Sequence, residues 1–190
     1  MRKSSYLSIS EAKDRDAYLL LLNCNCCLHS QLKEYVSENR IKSYLHAKLI
    51  EKVAIQDRFV YRLTDKGYRE FSREIQTDNF RYHSNSLEHD IALAQRYIDV
   101  HRQDPGCIWR NEQDLKRERA DIVDNLREQG RHYEAERFLA SSVPDCTITM
   151  SNGGISYGFD IVTDNYTSAD IQLKEDFCTE LQVEFHYERI

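Results

Sequence analysis

The stretch SENRIKSYLHAKLIEKVAIQDRFVYRL, residues 37–63, decides the fold. Ser37 has the side chain of an N-cap, and Ile41, Leu45 and Leu49 follow at helical spacing, which predicts a helix over 37–49. Two short β-branched and aromatic runs come next, Val53-Ala54-Ile55 and Phe59-Val60-Tyr61, separated by the polar turn Gln56-Asp57-Arg58. Helix followed by hairpin is the reading half of a winged helix-turn-helix. The helix side away from Ile41 and Leu45 carries Asn39, Arg40, Lys42, Ser43 and His46, side chains able to reach phosphates and base edges in a major groove. Arg58, in the wing, is placed for the flanking backbone.

Working outward toward the N-terminus, residues 1–10 are a polar lead-in. Ser10-Glu11-Ala12 then opens a helix whose apolar stripe is Ala17, Leu20, Leu21, Cys24 and Leu28. Ser30–Val36 predicts a second helix, with Leu32, Tyr35 and Val36 inward. Past the hairpin, Leu63-Thr64-Asp65-Lys66-Gly67 predicts a turn and Tyr68–Ile75 a helix. Residues 1–77 therefore form one unit, a winged helix. They carry 14 Lys+Arg against 10 Asp+Glu, a net of +4, whereas residues 78–190 carry 12 against 22, a net of −10. That asymmetry suits a DNA-facing first part and a distal part that does not lie along the polyanion.

Residues 78–105 predict an irregular link and a helix from Ser86 to about His101. The dipeptide His89-Asp90 occurs in metal phosphohydrolases, but that chemistry needs further ligands on facing helices, so a structural role for His89 is the expectation. Asp104-Pro105-Gly106 is a turn, Cys107-Ile108-Trp109 a short strand, and Asn111–Leu139 one or two charged helices broken near Gly130. Cys146–Met150 and Ile155–Val162, around Ser151-Asn152-Gly153-Gly154, predict a hairpin. A helix over about 168–181 and a strand at Val183–Tyr187 complete a small α/β layer over 106–190.

Bulk properties exclude several classes. Charged residues make up 31% and apolar ones 41% of the 190 residues, and no window approaches the ~18 apolar residues of a membrane span. The longest apolar run, Tyr18–Leu22, is too short and too internal for a signal peptide, so a cytoplasmic location is expected. Cys24, Cys26 and Cys27 fall in the first predicted helix and, with His29, would point in divergent directions. They are expected as core packing, with neither a zinc site nor disulfides.

Glu11-Ala12-Lys13-Asp14-Arg15-Asp16, Tyr61-Arg62-Leu63-Thr64-Asp65-Lys66-Gly67, Glu88-His89-Asp90 and Pro144-Asp145 together resemble the replication-relaxation family of plasmids, phages and integrative elements. The resemblance covers most of the chain. It implies an α+β protein: an N-terminal winged helix, then a domain resembling the PD-(D/E)xK nuclease fold. In that pattern Glu112, Asp145 and Asp160 would take the acidic places, with Asp145 and Asp160 holding Mg²⁺. Val162 stands where the pattern has lysine, which points to a degenerate site unless Lys174, on the next helix, substitutes.

Three functions follow. The first is a sequence-specific double-stranded DNA-binding accessory or regulatory protein of a mobile element. It would need no cofactor, and its distal domain would serve homodimerisation or docking to a relaxase, replication or phage protein. The second is a Mg²⁺-dependent nuclease using Glu112, Asp145, Asp160 and Lys174. The third is a protein-interaction module built on the winged helix.

Overall fold

The computed structural model describes residues 7–55, 57–154 and 156–190. Gln56, in the expected hairpin turn, Ile155, in an expected strand, and residues 1–6 of the lead-in lie outside the described residues. The protein is α+β, with eight helices and two sheets among those residues. The chain divides into two compact units, residues 1–99 and 100–190.

The first unit begins with α1 (Glu11–Cys24). From Ala17 to Cys24 every residue but Leu19 is buried, so the helix is enclosed. It stops where Asn25 takes φ 62°, a left-handed conformation that asparagine tolerates better than most residues. The chain then enters β1 (Cys26–Leu28). Cys26, Cys27 and Leu28, expected to continue the helix, instead pair antiparallel with β3 (Arg58–Leu63). The physical reason is the ladder: β3 has one flank on β2 (Ile50–Ile55), and β1 satisfies the backbone groups of the other. The sheet order is β1-β3-β2.

Between β1 and β2 lie α2 (His29–Leu32), a turn that stays helical in its bonding to Val36, and α3 (Glu38–His46). Ser37 caps α3 by accepting the Arg40 N–H at 3.3 Å. Thr64 caps α4 (Asp65–Glu74), so the expected turn at 63–67 is already the first helical turn. Gly67 sits there because a Cβ would lie 1.8 Å from the Leu49 carbonyl oxygen. The rings of Tyr18, Tyr44 and Phe71 join α1, α3 and α4: Tyr18 stacks on Phe71 at 5.1 Å and Tyr44 meets it edge-on at 5.4 Å. Each such pair contributes roughly 0.5–1.5 kcal/mol beyond its area burial.

The helix α5 (Leu87–Gln103) crosses the division between the units. Residues 78–99, expected within a linker, belong to the first unit for identifiable reasons. Leu87 and Ile91 pack on Cys26, Val60 and Val53. The Tyr82 N–H donates to the Leu22 carbonyl at 2.9 Å, and Gln31 Nε2 donates to the Ile91 carbonyl at 2.9 Å.

The second unit holds a four-stranded sheet in the order β4-β5-β6-β7. Its strands are β4 (Ile108–Asn111), β5 (Cys146–Thr149), β6 (Ser156–Val162) and β7 (Glu184–Arg189). The first three are antiparallel neighbours, and β6 and β7 are parallel, joined through α8 (Ser168–Glu180). The helices α6 (Glu112–Glu128) and α7 (His132–Ala140) are inserted between β4 and β5, broken at Gly130 with φ 74° as the sequence predicts. Leu115, Val123, Phe138 and Phe177 pack α6, α7 and α8 together. Trp109 is buried, and Gly158 lets α8 approach β6, since a Cβ there would meet Cys178 Sγ at 2.3 Å.

Candidate nucleic-acid interface and carboxylate cluster

The residues expected to face DNA do not share one fate. Asn39, Lys42 and His46 are exposed on α3, Ser43 is half-buried, and Arg58 is exposed where β3 begins. Ser43 Oγ donates to the Asn39 carbonyl at 2.9 Å, and Lys42 lies 3.7 Å from Glu38 one turn back.

Arg40 is a correction. Its side chain, 22% exposed, turns onto fully buried Asp14 of α1. Arg40 Nε donates to Asp14 Oδ1 at 2.7 Å and Nη2 to Oδ2 at 2.5 Å. The Tyr44 hydroxyl and the Ser10 N–H also donate to this carboxylate, at 2.5 and 2.7 Å. The cause lies in α1, where Asp14 shares the buried stripe with Ala17, Tyr18 and Leu21. A buried carboxylate needs a cation and donors, and Arg40 with Tyr44, one turn apart on α3, supplies both. Burial pushes the Asp14 carboxyl up, but the bonds from Arg40 and Tyr44 outweigh it and hold the group below its ordinary range.

Five residues beside α3 were not assigned to this surface from the sequence. Phe59 is 56% exposed and carries Lys52 Nζ 4.2 Å above its ring. Lys52, Ala54, Phe59 and Tyr61 share one face of the hairpin by the β2–β3 register. His29 joins that face to α3: its Nδ1 lies 3.1 Å from the Tyr61 hydroxyl and its Nε2 2.9 Å from Glu38. The signal in the sequence was the alternation of Lys52 and Ala54 with Val53 and Ile55.

The second unit brings three of the four nuclease candidates together. The Ile161 N–H donates to Asp145 Oδ2 at 2.7 Å, and the Asp145 N–H donates to Asp160 Oδ1 at 2.9 Å. Lys174 Nζ reaches the same Asp160 oxygen at 2.5 Å and the Tyr166 hydroxyl at 3.3 Å. Lys174 shares the inward side of α8 with Phe177 and Cys178. All three charged groups are buried, and Asp160 Oδ2 has no hydrogen-bond partner among the described residues. Glu112 follows Asn111, which pairs with Cys146, but its carboxylate lies 2.9 Å from Lys116 along its own helix. Among the described residues no three His, Cys, Asp or Glu side chains are grouped to hold a metal ion. Burial and the neighbouring Asp145 charge push Asp160 up to about 7, against the pull of Lys174.

The remaining motif residues are buried. His89 is buried with its ring 6.4 Å from Tyr82, and Asp90 accepts Asn25 Nδ2 at 2.6 Å. All six cysteines are free and buried, and burial pushes Cys26 and Cys178 up to about 12 and Cys107 to about 11. No helix among the described residues is long and apolar enough to cross a membrane.

Two stability measurements test these sites. Arg40→Ala should cost about 3–5 kcal/mol, because it strands a buried carboxylate, whereas Lys42→Ala should stay within about 0.5 kcal/mol. Urea midpoints of the two variants compare them directly, and equal midpoints would contradict the pairing. Asp160 has the opposite pH sense to Asp14. Its folded-state value is raised, so its stabilisation is complete below about pH 4. That stabilisation is lost as pH rises through about 7. Relative to Asp160→Asn, the wild-type urea midpoint should therefore fall between about pH 5 and pH 8, and parallel curves would count against this linkage.

No family model, curated protein or solved structure matches the chain.

Proposed function

We propose that the first unit is a winged helix-turn-helix that binds double-stranded DNA. The chain would then act as an accessory or regulatory protein of a mobile element, of the replication-relaxation kind. The observation that carries this reading is the run of exposed Asn39, Lys42 and His46 on α3 beside the exposed cations Lys52 and Arg58 of the hairpin. The element order supports it: helix, strand, helix, helix, hairpin, with the first strand laid on the hairpin's second. In this arrangement α3 would enter the major groove and Arg58 and Lys52 would meet the flanking phosphates. Arg40, turned onto Asp14, would serve to hold α3 against α1.

Gel retardation of a short mixed-sequence duplex tests the reading. Retention should weaken strongly between about 50 and 200 mM salt, and Lys42→Ala and Lys52→Ala should each lower the salt slope by about 1. No retention at low salt, or slopes unchanged in both variants, would sink it.

The convergence of Asp145, Asp160 and Lys174 favours a second reading, a metal-dependent nuclease. Mg²⁺ is commonly held by one or two carboxylates, with waters and substrate phosphates completing its shell. Asp145 and Asp160 fit that role, and Asp160 Oδ2 offers an unused oxygen. A bound cation would polarise a phosphate oxygen and acidify water; Lys174 would hold charge beside it. Supercoiled plasmid incubated with Mg²⁺ or Mn²⁺ should be nicked by the wild type and left intact by Asp145→Ala. Intact plasmid with the wild type, or nicking that survives the substitution, would reject this reading.

A further inference from the structure

One edge of the second sheet is β7, whose only strand partner among the described residues is β6. Alternate backbone N–H and C=O groups of such a strand point away from the sheet and offer a template for another strand. Its side chains are exposed along nearly the whole length: Tyr187 is 50% and the following Ile190 42% exposed. The parallel register with β6 sorts them by face. Glu184, His186 and Glu188 share a face with Tyr157 and Phe159, whereas Phe185, Tyr187 and Arg189 lie on the face of Asp160, toward α8.

This strand is complementary to itself. When two copies of a sheet join edge to edge as antiparallel strands, the two-fold axis stands perpendicular to the sheet and each face continues across the seam. Opposed residues must then share a face, which allows only registers shifted by two. Centred on Tyr187, the pairing sets His186 against Glu188 twice and Phe185 against Arg189 twice, with Tyr187 opposite its own copy. That arrangement pairs a hydrogen-bonding acid and imidazole on one face and lays a guanidinium on an aromatic ring on the other. Centred on His186, the same strands would oppose Glu184 and Glu188, two like charges. Centred on Phe185, Glu184 meets His186 favourably, but Arg189 and Glu188 are left outside the strand pairing. The opposite edge, β4, has only four residues.

We propose that a second copy of this chain docks on β7, edge to edge and antiparallel, centred on Tyr187, to make one continuous eight-stranded sheet. The pairing does not depend on DNA. The alternating charges of β7 then select one register, a task different from merely keeping the edge soluble.

Sedimentation of the full chain tests it. The wild type should be dimeric at tens of micromolar, Glu188→Lys should be monomeric, and the double variant His186→Glu with Glu188→Lys should regain the dimer, because the exchanged charges meet across the seam. Both positions are exposed, so loss of folding does not confuse the outcome; far-ultraviolet dichroism checks it. Oxidative cross-linking reads the register. Tyr187→Cys should form a disulfide-linked dimer and Phe185→Cys should not, against native cysteines that are all buried. A monomeric wild type, a dimer indifferent to Glu188→Lys, or cross-linking through residue 185 in place of 187 would overturn the proposal.

Discussion

The first unit depends on one buried carboxylate. Asp14 sits inside an otherwise apolar stripe of α1 and takes donors from α3 and from the segment before α1. An unpaired charge there would cost more than most single packing contacts contribute. The pair therefore fixes how α3 lies on α1, and the Tyr18, Phe71 and Tyr44 rings fill the space it defines. With Arg40 and Tyr44 held inward, helical geometry turns Asn39, Lys42 and His46 outward. Any ligand that reads α3 reads a face whose orientation was set by an ion pair on the other side.

The second unit also buries charge, with a different balance. Two carboxylates, Asp145 and Asp160, share one ammonium from Lys174, which leaves an excess negative charge in a closed space. The cluster responds by keeping Asp160 protonated to a higher pH than an ordinary carboxyl. Asp14, surrounded by donors, needs no such relief. One site is a finished structural pair; the other retains an oxygen without a hydrogen bond among the described residues, the kind of group that marks chemistry or strain.

Much of this was legible in the sequence, for reasons that differ by element. Ser37 announced its helix because capping is local chemistry, and Gly130 announced the break between α6 and α7 because few other residues accept its φ. The β1 strand was hidden, since Cys26-Cys27-Leu28 continues the apolar content of α1 and only the ladder with β3 distinguishes the two. Arg40 was misplaced because its role depends on Asp14, 26 residues earlier; the clue was an acid on an apolar stripe, which demands a partner somewhere in the fold. Lys174 entered only as the substitute that the nuclease pattern would need in place of Val162, and its contact with Asp160 depends on how α8 packs on β6. Glu112 occupies the expected place in the chain yet pairs with Lys116, which motif spacing cannot show.

The central claim is that α3 and the adjacent hairpin, held by the Asp14–Arg40 pair, form the surface that meets a duplex. Amide hydrogen exchange with and without duplex DNA at low salt addresses it segment by segment. Slowed exchange confined to α3 and to the hairpin strands β2 and β3 is the expected result. Unchanged exchange in those segments, or protection only within the second unit, would contradict it.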